Sequence, residues 1–340
     1  MPHTRMIRVL IVDDSALVRK LLTEALAGEP DLEVVGTAPD PFVARDKILQ
    51  LKPDVLTLDI EMPRMDGLTF LGKLMHFHPM PVVVISSMAQ PSCRAAVQAL
   101  ELGAVEVLAK PAGPYSVGEL RHSLASKIRA AAAASPRRRD CNSTPPRLAR
   151  SSRDSHNVIA IGASTGGTEA IATVLQGLPK DVPGIVVVQH IPPVFSRAFA
   201  ARLDEFCEID VKEAEDGDCL RPGLALVAPG DLHMVLRKNH AGYFINVKTG
   251  PAVCYQRPSA DVLFFSAAEV AGASAIGVIL TGMGSDGAHG LLRMRQSGAR
   301  TLAQDEATCV VFGMPREAIN LGAAEQILPL NRIAPALLAS

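Results

Sequence analysis

Two sets of polar residues interrupt an otherwise apolar strand pattern in this 340-residue chain, and each set could do chemistry. In the second half, Ser164 stands in IGASTGGTEA, His190 ends the apolar run GIVVVQH and Asp286 lies in TGMGSDG. A hydroxyl, an imidazole and a carboxylate of this kind can serve as nucleophile, general base and orienting group. Gly162, Gly166 and Gly167 are expected to turn the backbone sharply and leave Ser164 exposed above a helix N-terminus, where free N–H groups favour negative charge. The backbone N–H groups of Thr165 and Met283 are candidates for an oxyanion hole. In the first half, Asp13, Asp14 and Asp59 close apolar runs, as do Ser86 and Lys110. Three converging carboxylates repel one another unless a hard cation neutralises them, and oxygen ligands suit Mg2+. A lysine and a hydroxyl beside that cation are what a phosphoryl group needs around it.

The residues alone leave alternatives open. A glycine-rich turn after a strand is more often a nucleotide or phosphate site than a nucleophile turn. Here the spacing is not GxGxxG, no acidic residue stands about 20 positions on, and no GK[ST] is present. Nor is the turn a GxSxG elbow. Separation along the chain does not establish that Ser164, His190 and Asp286 meet.

The elements that must position these residues are legible from periodicity. Strand-like runs IRVLIV, LEVVGTA, VLTLDI, VVVISS and VEVLAK alternate with segments of helical spacing, which implies a parallel sheet covered on both faces. In such a sheet the functional crevice lies outside the carboxyl ends of the strands, the end where the acidic set falls. From Val158 the pattern restarts with VIAIGAS and GIVVVQHI. Two short strands and a polar hairpin (LALVAP, HMVLR, YFINVK) are read as an inserted antiparallel portion. AIGVILTGMGSDG and TLAQD follow. Between the halves, residues 130–157 are Ala, Ser, Pro and Arg with little to bury, the composition of a flexible tether.

Composition bounds the partners. Lys plus Arg number 34 against 35 Asp plus Glu, so no global field draws the chain to nucleic acid or membrane. The six linker arginines have no interleaved aromatics, which favours a solvated tether over a nucleic-acid arm. No apolar run reaches the roughly 20 residues of a membrane span, and no signal-peptide pattern opens the sequence. Six scattered cysteines without CxxC pairs read as buried or idle thiols. The expected compartment is the cytoplasm.

The segments VDDSALVRK, LDIEMPRMDG, VISS and AKP resemble the response-regulator receiver family over roughly the first 120 residues. The second half resembles the catalytic domain of chemotaxis protein-glutamate methylesterases through IGASTGGTEAI, QHIPPVFSRAFAARL, VAPGDLHM, RPSADVLF, GVILTGMGSDGAHGLLRMRQSGA and TLAQDEATCVVFGMPREAI. These resemblances imply an α/β chain in two parts. Residues 5–129 would form a (βα)5 receiver, a flavodoxin-like doubly wound parallel sheet. Residues 130–157 would be the linker, and residues 158–340 a Rossmann-like α/β methylesterase domain with an antiparallel insertion.

The receiver resemblance implies that Asp59 accepts a phosphoryl group from a histidine kinase. It implies that Asp14, Asp59 and the backbone carbonyl of Glu61 hold Mg2+ with Asp13 in the outer shell, and that Ser86 and Lys110 contact the phosphoryl group. The methylesterase resemblance implies Ser164 as nucleophile, His190 as base and Asp286 as orienting carboxylate, with no cofactor for the hydrolysis. The substrates would be glutamate methyl esters, and certain glutamines, on chemotaxis receptors. The protein would then meet membrane arrays only through protein contacts. Val107 replaces the aromatic switch residue of many receivers, so the output is expected to run through loop and backbone movement. The unphosphorylated receiver is expected to cover the hydrolase cleft. Two further histidines border the second set. His289 is expected to face solvent, and His233 to line the cleft wall. A receiver-coupled transcription factor is the competing reading, without a helix-turn-helix pattern to support it. A non-catalytic nucleotide-binding or docking module is another, and it leaves three polar strand ends unexplained.

Overall fold

The computed structural model describes residues 5–87, 89–110, 117–134 and 158–339. They fall into two compact units, 1–141 and 142–340.

In the first unit, β1 (Ile7–Val12), β2 (Leu32–Ala38), β3 (Val55–Asp59), β4 (Val82–Ser86) and β5 (Glu106–Ala109) pair in the order β2-β1-β3-β4-β5, all parallel. β3 and β4 are buried along their whole length, which is why they read as continuous apolar runs and not as alternating ones. The helices α1 (Ala16–Leu26), α2 (Pro41–Leu51), α3 (Gly67–Phe77) and α4 (Gln90–Glu101) connect them, and α5 (Val117–Ala133) follows β5. Local chemistry sets two of the helix starts near the acidic residues. Ser15 caps α1, and its own N–H donates to Asp13 Oδ1 at 2.9 Å. Asp66 caps α3 through Thr69 N, and the next residue has to be glycine, since a Cβ on Gly67 would lie 2.2 Å from the Asp59 carbonyl oxygen. α5 continues to Ala133, so the alanines that open the 130–157 segment extend the preceding helix, as their composition allows. The rest of the expected linker, from 135 to 157, lies outside the described residues.

The second unit is built on seven parallel strands in the order β14-β13-β12-β6-β7-β9-β8. In chain order they are β6 (Val158–Ala163), β7 (Gly184–Gln189), β8 (Asp210–Glu213), β9 (Leu224–Val227), β12 (Ala275–Ile279), β13 (Arg300–Gln304) and β14 (Gln326–Leu328). A separate antiparallel hairpin, β10 (His233–Asn239) with β11 (Gly242–Lys248), forms the insertion. Here the sequence reading needs correction: LALV belongs to the main sheet as β9, parallel to both β7 and β8, and only the hairpin is antiparallel. Its four residues are all buried, and a short, fully buried strand carries no alternation to show which sheet it joins. The helices α6 (Gly167–Gln176), α7 (Pro193–Asp204), α8 (Ala260–Val270), α9 (Ala288–Gln296), α10 (Met314–Asn320) and α11 (Leu330–Leu338) flank the sheet. α8 supplies Leu263, Phe264 and Ala267 to the core. It packs so closely on β6 that a Cβ on Gly162 would stand 2.8 Å from that of Ala260.

In each sheet the first strand of the unit is internal, with the chain running to one side and then returning to the other. β1 lies between β2 and β3, and β6 between β7 and β12. Ligand crevices of open parallel sheets form outside the strand ends at such a reversal.

Candidate active site and acidic site

Both candidate sites lie at these reversals. In the first unit Asp13 follows β1 and Asp59 ends β3; both are buried, while Asp14 is exposed. The three carboxylates bring ligand atoms within 4.8 Å of one another. Lys110, just after β5, sits 2.7 Å from Asp59 Oδ2 and 3.1 Å from Asp13 Oδ2. Burial pushes the Asp59 carboxyl up to about 6 against the Lys110 hydrogen bond, with the neighbouring Asp13 adding to the rise. Burial likewise raises Asp13, against the attraction of Lys110. Burial works against the Lys110 ammonium too, but its bond to Asp59 and the two negative charges outweigh that and raise its pKa. One lysine therefore does not offset the desolvation of the two buried carboxylates. A hard divalent cation at Asp13, Asp14, Asp59 and the Glu61 carbonyl fits this donor set. Glu61 N–H donates to Asp59 Oδ1 at 3.1 Å, and its carboxylate takes the Ser92 hydroxyl. Ser86 ends β4 fully buried, its hydroxyl 3.3 Å from the Ser92 carbonyl, and Lys110 N–H donates to Ser86 O. Val107 is buried in β5 opposite Val84.

In the second unit, register brings the polar strand ends together. β6 pairs with β7 through Ala163 and Gln189, so Ser164 and His190 each follow a paired residue. His190 N–H donates to the Ala163 carbonyl, and Ser164 N–H donates to Thr281 O across from the end of β12. Asp286, farther along that loop, lies with Oδ2 2.8 Å from His190 Nε2. The His190 Nδ1 is buried without a hydrogen-bond partner. Since Asp286 accepts, Nε2 carries the proton and Nδ1 keeps the free lone pair.

Ser164 is only 3% exposed, contrary to the exposed placement expected from its turn. The loop after β12 covers it: a Cβ on Gly282 would lie 2.7 Å from Ser164 Cβ. The three glycines also divide their work. Only Gly166 has a left-handed backbone (φ 74), with Val310 packed where its Cβ would be. Gly162 and Gly167 make room for Ala260 and for the Gln189 side chain. Thr165 is buried beside Ser164, and Met283 is partly exposed in the loop after Gly282.

Asp286 is held by groups the sequence reading missed. Ser259 Oγ donates to Oδ1 at 2.7 Å, and the first N–H groups of α8, from Ala260 and Asp261, donate at 2.7 and 3.2 Å. Burial alone would raise this carboxyl; the bond and charge of His190, with Ser259 and Ala260, bring it below the usual carboxylate range. The signal was present in RPSADVLF, a serine ahead of an apolar helical run, and Ser259 indeed caps α8. Cys254, Asp261 and Asp286 also bring ligand atoms within 4.8 Å. The Asp286 oxygens, however, already accept these four hydrogen bonds, and Asp261 Oδ1 takes Gly290 N–H. His289 is exposed, as expected. His233 opens β10 and is buried, Nε2 lying 2.9 Å from the Pro251 carbonyl.

Residues 159–337 match the CheB methylesterase family, and residues 9–122 match the response regulator receiver domain. This chain belongs to the CheB methylesterase family. Among its relatives, the protein-glutamate methylesterase/protein-glutamine glutaminase 2 of Syntrophus aciditrophicus (strain SB) is 56% identical over 336 residues, covering 96% of this chain and 97% of that protein. The protein-glutamate methylesterase/protein-glutamine glutaminase of Escherichia coli O157:H7 is 55% identical over 336 residues, with 98% and 96% covered. The crystal structure of the Thermotoga maritima CheB methylesterase catalytic domain superposes with a TM-score of 0.53 at 40% identity, covering 54% of this chain and 98% of that one. The two family matches place a receiver domain before a CheB methylesterase domain, and the described residues of the second unit belong to the latter and not to a transcription factor's output domain. Among the described residues no helix is long and apolar enough to cross a membrane.

Proposed function

We propose that this CheB-family chain is a protein-glutamate methylesterase and protein-glutamine glutaminase. Its hydrolysis runs through Ser164, His190 and Asp286 and is raised by phosphorylation of Asp59. The observation that carries the reading is the His190 ring. One nitrogen is 2.8 Å from a buried carboxylate, and the other is free, at the strand end beside Ser164. The free nitrogen here is Nδ1, so the proton of Ser164 passes to Nδ1 while Nε2–H stays on Asp286.

Ser164 Oγ attacks the γ-carbonyl carbon of a methylated receptor glutamate as His190 Nδ1 takes the hydroxyl proton. The oxyanion is met by the N–H groups of Thr165 and Met283. Collapse breaks the C–O bond, and His190 returns the proton to the departing methoxide, releasing methanol. Water, deprotonated by His190, then attacks the acyl carbon; glutamate forms and Ser164 recovers its proton. With a receptor glutamine the same path expels ammonia. Asp286, kept ionised by its donors, holds the imidazolium that forms at each step.

In the receiver, a carboxylate oxygen of Asp59 attacks the phosphorus of a phosphohistidine on the kinase, forming an acyl phosphate as the imidazole leaves. Ser86 and Lys110 receive the new oxygens. Asp14, Asp59 and the Glu61 carbonyl, with Asp13 beside them, would hold Mg2+, which would supply neutralisation of the converging negative charge. The unphosphorylated receiver restrains the hydrolase, a shift that needs only a few kcal/mol between two states. The chain works in the cytoplasm, reaching receptor arrays through protein contacts.

The test is methanol release from methyl-labelled receptor membranes, with and without a small phosphodonor and Mg2+. Release that rises with the donor, disappears in Ser164→Ala and loses its donor response in Asp59→Asn supports the whole reading. Release without a donor response keeps the hydrolase and removes the switch. A folded protein that releases none under either condition overturns the hydrolase.

A further inference from the structure

We infer that Gln189 is a positioning residue for the oxyanion site, its side-chain amide fixing the peptide plane from which the Thr165 N–H points. The inference rests on Ser164 being the nucleophile. The carbonyl of Ser164 and the N–H of Thr165 belong to one planar trans peptide unit and point in opposite directions, so a hold on the first aims the second. Two donors hold that carbonyl: Gln189 Nε2 at 2.8 Å and the N–H of Gly167 at 2.7 Å. Hydrogen bonds accepted by the carbonyl also polarise the unit and strengthen its N–H as a donor.

The side chain is built in for this contact. Gln189 is 2% exposed, at the end of β7, directly before His190. Its nitrogen faces two carbonyls, Ser164 O at 2.8 Å and His190 O at 3.4 Å, which fixes the orientation of the amide. Its Oε1 is buried with no partner. A leucine or methionine there would avoid an orphaned acceptor, so the amide is explained by what its nitrogen donates. The same contact explains the second glycine of the STGG turn: a Cβ on Gly167 would lie 2.2 Å from Gln189 Oε1. Gly166 turns the chain, and Gly167 leaves space for the amide.

The experiment compares full-length wild type, Gln189→Met and Gln189→Glu on methylated receptor membranes across pH. Gln189→Met keeps the length of the side chain and removes the donor. It is expected to lower kcat by about 10- to 100-fold, less than the loss of an oxyanion donor outright, with KM unchanged. In Gln189→Glu a carboxylate cannot donate to Ser164 O but a protonated carboxyl can. The ratio of its kcat to wild type is therefore expected to rise as pH falls, while the ratio for Gln189→Met stays flat. A folded Gln189→Met with wild-type kcat overturns the inference, as does a pH-independent ratio for Gln189→Glu; if the methionine variant does not fold, the glutamate ratio decides. Activity surviving in Ser164→Ala would bring down the serine reading itself, whereas an inactive Ser164→Ala beside an unaffected Gln189→Met removes only the part given to Gln189.

Discussion

Asp59 and Asp286 are both buried carboxylates near the carboxyl ends of parallel strands, where the strand order reverses, and their surroundings treat them in opposite ways. Asp59 has one lysine, one N–H and a second buried acid beside it, and burial wins: its carboxyl is pushed up to about 6. Asp286 is buried too, but a ring nitrogen, a hydroxyl and two helix N–H groups converge on it, and it is held below the ordinary range. The first arrangement is incomplete in charge and suits a site that takes up a cation and a phosphoryl group. The second is complete and suits a group that must stay ionised and still while a neighbour gains and loses a proton. What separates the two carboxyls is the number of donors around each acid, not burial as such.

The comparison breaks most sharply at the reactive atoms. Ser164→Ala is expected to lower methanol release by on the order of 10^3-fold or more and to leave phosphoryl uptake at Asp59 intact. Asp59→Asn is expected to abolish uptake and spare the basal hydrolysis. Either variant lowering both phosphoryl uptake and basal methanol release would mean the sites are not separable.

Next in size is Ser259→Ala, which takes one donor from an ionised acceptor, worth about 1.5–3 kcal/mol, or roughly 10- to 100-fold in kcat if the loss falls on the transition state. It also has a sign in pH. Because the folded pKa of Asp286 is depressed, the stability it gives is present above its unfolded value near 3.9 and is lost as pH falls through the folded value. Removing Ser259 raises the folded value, so acid unfolding followed by circular dichroism should begin at higher pH than in wild type. An unshifted acid limb would show that Ser259 does not share in holding the charge.

A smaller effect belongs to the other site. Mg2+ at about ten times its dissociation constant should raise the melting temperature of the receiver transition by about 5 °C, and Asp14→Asn should remove the gain. No shift with Mg2+ would show that the raised carboxylates do not mark a cation site. The smallest concerns reactivity, in which the two units should be alike. Burial raises the Cys93 thiol, and burial with the nearby Asp204 pushes Cys207 up to about 12. Iodoacetamide at pH 8 should therefore label the exposed Cys219 before either.

Much of this was legible in the sequence. IRVLIV and LEVVGTA are β1 and β2 to the residue, although β2 is a partly exposed edge strand and both runs contain a charged residue. The polar residues ending those runs were legible as candidates for both sites, although a polar residue after a strand can also simply cap the next helix, as Asp40 does. Family motifs then identified the chemistry expected of each. LALV was not legible as a main-sheet strand, nor was Asp210–Glu213, which pairs with it: a four-residue strand is too short for period or burial to fix its neighbours.

By itself, then, the sequence determined which residue types stand at which strand ends, and hence two candidate centres in two α/β units. Only the tertiary structure decided how those groups are tuned. It buried Ser164 beneath the Gly282 loop and left Nδ1 of His190 free. It also surrounded Asp286 with donors and gave Gln189 the Ser164 carbonyl. The reason is physical. Desolvation and hydrogen bonding act through contacts between residues far apart in the chain: 96 positions for His190 with Asp286, and 116 for Thr281 with Thr165. Periodicity and motif spacing carry the direction of a side chain from its own strand or helix, but not the identity of what it meets there.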